Sequence, residues 1–141
     1  MNKYNDLEMA ILSCILQKPE LMNQIKLEDK HFLKHKRVWL FLKSIYKKFG
    51  TFDITLMNSV CKNKLQMMEY IIWLLELEPA PSLFDKYQQQ LIDLYNEEQK
   101  DKFIIEKVFK YANDLYVRNI TTEEFKTKID ELYKRREELK W

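Results

Sequence analysis

Gly50 is the only glycine in a chain of 141 residues, and there are three prolines. Sheets joined by tight turns use glycine, asparagine and proline at the turn positions, because these residues supply a positive or preset φ. A chain with so little turn chemistry is built from few, long elements, and those are helices. The same shortage excludes two nucleotide-binding loops. A Walker A loop needs two glycines and a dinucleotide fingerprint three, so no ATP-driven motor fits within these residues.

Apolar residues make up 46% and charged residues 33%, enough for a core and a solvated surface in one domain or a domain with an appendage. The net charge of +2 exerts no strong pull toward DNA, but it is unevenly spread. Residues 18–50 hold nine Lys/Arg against three acids, and residues 51–100 hold four against eight. Two opposite poles suit charge-complementary protein contacts. Met1-Asn2-Lys3-Tyr4 leads straight into an amphipathic segment, with no secretory leader. The longest apolar run, Tyr70 to Leu75, is far shorter than the ~20 residues that span a bilayer. Cys14 and Cys61 lack CxxC spacing and read as reduced core residues. A cytoplasmic protein without membrane contact is expected.

Asn5 followed by Glu8 reads as a capping-box start, and Leu7, Ala10, Ile11, Cys14 and Ile15 follow at helical spacing. Pro19 opens a short helix carrying Leu21, Met22 and Ile25. A connector with Leu27, Phe32 and Leu33 leads to a helix over about 34–49. Its stripe is Val38, Phe41, Leu42, Ile45 and Phe49, flanked by Trp39 and Tyr46. Gly50 sits where a left-handed cap is wanted, and Asp53 can cap a helix through Leu56, Met57 and Val60. A helix over about 65–77 is apolar nearly all round and is expected at the centre of the bundle. After Pro79 and Pro81, Ser82 with Asp85 is read as the cap of a helix with the stripe Leu83, Tyr87, Leu91 and Leu94.

From Asn96 to Lys102 no side chain is apolar. A helix there has no face to bury and is expected to cross solvent between two packed regions. The chain therefore reads as all-α, a compact multi-helix head over 1–95 followed by a junction and an antiparallel helical hairpin over 96–141. The first arm presents Ile104, Ile105, Val108, Phe109, Tyr111, Ala112, Leu115 and Tyr116, an arc of about 160° at about 100° per residue. Arg118-Asn119-Ile120 is the turn, and Thr121 with Glu124 forms a capping box. The returning arm has only Phe125, Ile129, Leu132 and Leu139, a narrow stripe. So narrow a stripe leaves part of the facing arc uncovered. Either another subunit covers the surplus or the head folds back over it. The candidate oligomer interface comprises Ile105, Val108, Phe109, Tyr111, Ala112, Leu115, Tyr116, Phe125, Ile129 and Leu132.

Catalytic chemistry has little support. His31 and His35, at i and i+4, could share a metal on a helix, but a third ligand would have to come from afar, and ordinary surface or boundary histidines are the plainer reading. No nucleophile and base share a recognisable local context. Lys36, Lys43 and Lys47 line one side of a helix. They are candidates for contact with a partner or nucleic acid, or a solubilising face. Neither a metal nor a cofactor is expected, and the chain reads as a non-enzyme.

In order and spacing these features resemble the N-terminal domain of DnaB-family replicative helicases, from Asn5 to about the end. Leu7-Glu8 through Leu12-Ser13 to Pro19-Glu20 is similar to the family's opening helix, with Ser13 where the family carries glycine. Phe32 followed by His35-Lys36-Arg37-Val38-Trp39 is similar to its Phe and His-Arg stretch. Gly50-Thr51-Phe52-Asp53-Ile54-Thr55-Leu56 resembles the next strip, one residue short. Tyr70 to Leu77, then Ala80-Pro81-Ser82-Leu83-Phe84-Asp85-Lys86-Tyr87, resembles the last head region. Cys61-Lys62-Asn63-Lys64 replaces a Gly-Gly loop. The chain ends at Trp141, before the family's linker helix and ATPase, as either a cut-out domain or a free-standing phage or mobile-element relative would.

The resemblance implies a non-catalytic domain that forms dimers or higher oligomers. Its hairpins pair, its heads form a collar, and it binds primase or a helicase loader, with DNA touched only weakly or indirectly. The alternative function is a stand-alone adaptor or inhibitor that engages a host helicase, loader or primase. A third reading is a DNA-binding module built on the lysine-bearing helix.

Overall fold

A computed structural model of the chain describes residues 3–61 and 65–138. The all-α expectation holds, with no strand among the described residues. The helices are α1 (Lys3–Gln17), α2 (Lys36–Phe49), α3 (Ile54–Val60), α4 (Leu65–Glu76), α5 (Phe84–Tyr116) and α6 (Thr122–Arg136), with 3₁₀ turns at Pro19–Gln24, Asp29–His31 and Pro81–Leu83. Residues 62–64 and Leu139, both singled out in the sequence, lie outside the described residues. Two compact units are distinguished, Met1–Ile92 and Asp93–Trp141.

The first unit is organised around α1. Ile11 to Leu16 are buried without interruption, so this helix is covered on every side. Two small polar or near-polar residues make that possible. The Ser13 hydroxyl donates to the Leu74 carbonyl at 2.7 Å, and burial pushes the Cys14 thiol up to about 11, which keeps it protonated and inert. The expectation that 65–77 forms the centre is thereby corrected. On α4, Met68, Ile71 and Leu74 are buried against α1, but Ile72 and Trp73 are each 43% exposed. An apolar run wider than one neighbour can cover leaves its surplus outside.

Locally encoded caps appear where the sequence puts them. Gly50 adopts φ 70° and its N–H reaches the Tyr46 carbonyl. Its Cβ position is open, so the requirement is one of backbone conformation. Asp53 accepts from the Leu56 N–H at 3.0 Å. Pro19 opens its 3₁₀ turn and buries Leu21. Other local readings are corrected. Ser82 lies inside the Pro81–Leu83 turn and makes no capping bond there. Phe84, Gln88 and Leu91 are the buried face of α5, while Leu83 is 38% exposed. Trp39 is no flank. It is buried, stacks on Phe32 at 4.5 Å, and its indole N–H donates to Asp29 at 2.7 Å.

Three clasps, each across about sixty residues of chain, help bind this unit. Besides Ser13 and Leu74, the Gln17 amide donates to the Leu77 carbonyl at 2.7 Å. The fully buried Gln88 accepts from the Lys26 N–H at 2.7 Å and donates to the Gln24 carbonyl at 3.2 Å.

In the second unit, α5 and α6 run antiparallel. Lys128 lies over the Tyr111 ring, and Arg136 donates to Asp101 at 2.8 Å and Glu97 at 3.1 Å. The stretch 96–102 is helical, and Arg136 is bonded to two of its acids, Glu97 and Asp101. The turn closes as a Schellman motif. Arg118 N–H reaches the Leu115 carbonyl and Asn119 N–H the Asp114 carbonyl, with Arg118 at φ 62°. Thr121 and Glu124 cap α6 reciprocally.

Candidate interaction surfaces

The apolar arc on α5 resolves into two parallel stripes one residue apart, and hence about 100° apart. Ile104, Val108, Tyr111 and Leu115 form the inner stripe, all half-buried. Ile105, Phe109, Ala112 and Tyr116 form the outer one. Phe109 is 71% exposed, Tyr116 86% and Ile105 52%, and Ala112 is exposed as well. On α6, Phe125 and Ile129 are half-buried and Leu132 is buried. They share one helical face with Arg136, the residue that reaches α5. Of the ten residues expected to meet another subunit, four are free to do so in full, five in part, and Leu132 hardly at all.

Lys36, Lys43 and Lys47 are exposed on α2, at i, i+7 and i+11 along one line. Leu40, between Lys36 and Lys43, is 42% exposed. Lys43 is already paired with Asp29 at 3.0 Å. The Trp39 indole and this ammonium hold the Asp29 carboxyl below the usual carboxylate range.

The two histidines do not share a helix face. His31 is buried in the Asp29–His31 turn, where its Nδ1 accepts from the Glu28 N–H at 2.9 Å. His35, at the N-terminus of α2, lies between Asn5 Oδ1 at 2.7 Å from Nε2 and the Tyr70 hydroxyl at 2.8 Å from Nδ1. An amide oxygen only accepts, so Nε2 carries the proton and Nδ1 accepts from Tyr70. Beside them the buried Glu8 accepts from the backbone N–H groups of Lys34 and His35 at 3.1 Å. Glu8 therefore completes the start of α2, not that of its own helix, and Asn5 lies inside α1 rather than capping it. Burial raises the Glu8 pKa against these hydrogen bonds and lowers that of His35. With Glu8 nearby, burial pushes the Tyr70 phenol up to about 12. The cluster ties α1, α2 and α4 together. Among the described residues no three His, Cys, Asp or Glu side chains are placed to hold a metal, and no helix is long and apolar enough to cross a membrane.

The family model described as DnaB-like helicase N terminal domain matches residues 1–93, about two thirds of the chain. The chain belongs to that family. Its match to the DnaB-like N-terminal domain covers the first compact unit almost residue for residue and leaves the hairpin outside. No curated protein and no solved structure matches the chain. The matched part is a non-catalytic, helicase-associated oligomerisation and interaction domain.

Proposed function

We propose that the chain is the assembling, partner-recruiting N-terminal part of a DnaB-type replicative helicase. Copies associate through the outer stripe of α5, and the resulting collar takes up a primase or a helicase loader in the cytoplasm. The observation that carries this is the line Ile105, Phe109, Ala112 and Tyr116. It is a continuous apolar face that α6 leaves uncovered on a charged helix, and such faces mark interaction sites. Val108, Tyr111, Leu115, Phe125 and Ile129 border it and lose their remaining exposure on pairing. Lys36, Lys43 and Lys47 give at most weak, salt-sensitive contact with DNA.

Sedimentation velocity on the full chain tests the assembly. Wild type should form dimers or larger species. Phe109→Ala should weaken them by ~2 kcal/mol or more, the loss typical of a central aromatic. A wild-type monomer, or an unchanged oligomer in the variant, defeats the reading. Titration with the cognate primase and with the cognate loader tests recruitment, and binding by neither removes that half of it.

A further inference from the structure

Every cation-bearing helix of this chain but one mixes its charges by sign. On α5 the mixture gives pairs such as Lys100 with Glu97 and Lys102 with Glu98. The exception is α2, which carries Lys36, Arg37, Lys43, Lys47 and Lys48 and no acid. The acids just before it, Glu28 and Asp29, pair with Lys30 and Lys43, so Lys43 is already engaged. Lys36, Arg37 and Lys47 form no ion pair among the described residues. Lys36, Leu40 and Lys47 stand in one line along the helix, and Arg37, Ser44 and Lys48 in a second line beside it. All six are exposed, Leu40 by 42%.

Helix stability accounts for only half of this charge. Lys47 and Lys48 lie in the last turn, where cations suit the helix dipole. Lys36 and Arg37 lie in the first turn, where the dipole disfavours them. Glu8 already accepts the N–H groups of Lys34 and His35 there, so neither side chain is needed as a cap. Nor is the face made for a nucleic-acid strand, which stacks its bases on exposed aromatic rings. The rings of α2 are turned inward: Trp39 is buried, and Phe41, Tyr46 and Phe49 pack against the core. What stands among the cations is aliphatic, the side chain of Leu40.

We propose that the exposed face of α2 docks an acidic segment of another protein, one that carries large apolar side chains among its carboxylates. The carboxylates meet Lys36, Arg37, Lys47 and Lys48, and the apolar side chains cover Leu40. From Lys36 to Lys48 the face runs about 18 Å at about 1.5 Å per residue, the length of a short peptide rather than of a folded domain's interface. Such a contact is weak, quick to form and sensitive to salt. The face shares no residue with the α5 stripe, so a chain that fails to pair would still carry it. It is also read with a peptide alone, so a primase or loader that fails to bind leaves it standing.

The test is fluorescence anisotropy at low salt on the full chain, with dye-labelled probes long enough to lie along α2. They are an acidic peptide with two central phenylalanines, the same peptide with serines in their place, and single-stranded DNA of equal charge. Wild type should bind the first most tightly, about fivefold or more over the serine peptide. Arg37→Glu with Lys47→Glu should weaken that binding about tenfold or more, because two attractions become two repulsions. Leu40→Ser should bring the two peptides close to equal affinity. Lys86→Glu with Lys126→Glu makes the same change of net charge on exposed residues of α5 and α6 and should bind like wild type. The comparison of probes on wild type needs no variant, so it decides even if a reversal unfolds the chain. Failure of wild type to bind the acidic peptide overturns the proposal, and so does equal affinity for the two peptides. Equal weakening by the α5 and α6 reversal overturns it too, reducing the effect to net charge. DNA bound as tightly as the acidic peptide overturns it and assigns the face to nucleic acid.

Discussion

The Ser13 hydroxyl and the Leu74 carbonyl oxygen are 2.7 Å apart, joining the centre of α1 to the last turn of α4. The Gln17 amide also donates to the Ser13 oxygen at 3.1 Å, so one hydroxyl serves two helices inside a sealed interior. Ser13→Ala should destabilise the fold by about 1 kcal/mol, the net worth of such a bond. Ser13→Gly should cost about 1 kcal/mol more through helix propensity. Urea unfolding distinguishes them, and an alanine variant as stable as wild type would show that the bond contributes nothing.

His35 makes stability depend on pH. Its folded pKa is depressed, first by burial, and His31 is depressed for the same main reason. Both therefore contribute stability that is complete above the unfolded value of about 6.5 and is lost as pH falls from there through the folded pKa. Glu8 works in the opposite sense. Its raised pKa lets the folded chain take up a proton more readily, so the cost of its ionisation disappears as pH falls through that value. Acidification from pH 7 should first weaken the fold, and His35→Gln should flatten that first decline. Equal slopes for wild type and variant in denaturant midpoints across this range would count against the assignment.

Leu132 and Phe109 should behave as opposites. Leu132 is 4% exposed, so Leu132→Ala leaves a cavity and should cost about 2–4 kcal/mol of stability. Phe109 is 71% exposed, so Phe109→Ala should change the stability of the isolated chain by about 0.5 kcal/mol or less while weakening association. Denaturation at low concentration beside sedimentation separates the two effects. A large stability loss in the Phe109 variant at high dilution would show that this ring serves the fold.

Arg118 occupies a left-handed position at φ 62°, where a side chain is strained and glycine is not. Arg118→Gly should stabilise the hairpin by about 0.5–1 kcal/mol, after allowing for the greater freedom of glycine in the unfolded chain. Thermal unfolding provides the check, and a lower midpoint would refute it.

Features written in neighbouring residues were the legible ones. Gly50, Asp53 and the Thr121 and Glu124 box each need only a few residues of chain, and each appears as read. Glu8 looked like one half of a local box with Asn5, but its partners are the N–H groups of Lys34 and His35, 26 and 27 residues away. Periodicity gives the direction of a side chain but not the neighbour that covers it. Hence periodicity alone makes Trp39 a flank and α4 the centre, where the fold buries Trp39 and closes around α1. The uninterrupted Ile11 to Leu16 run, softened by Ser13 and Cys14, was the available signal for the true centre. The width of the α5 arc was legible. Its division into a covered and an open stripe depends on where α6 lies, which Tyr111 and Lys128 reveal only in three dimensions.

Ser13 to Leu74, Gln17 to Leu77 and Lys26 to Gln88 span 61, 60 and 62 residues. A cut anywhere from Lys26 to Leu74 would therefore part all three clasps at once. Although the first unit is built from local helices, these three bonds each close a loop of about sixty residues. These three locks close only when residues near both ends have arrived, so fragments of the unit that lack either end should be poor minimal domains.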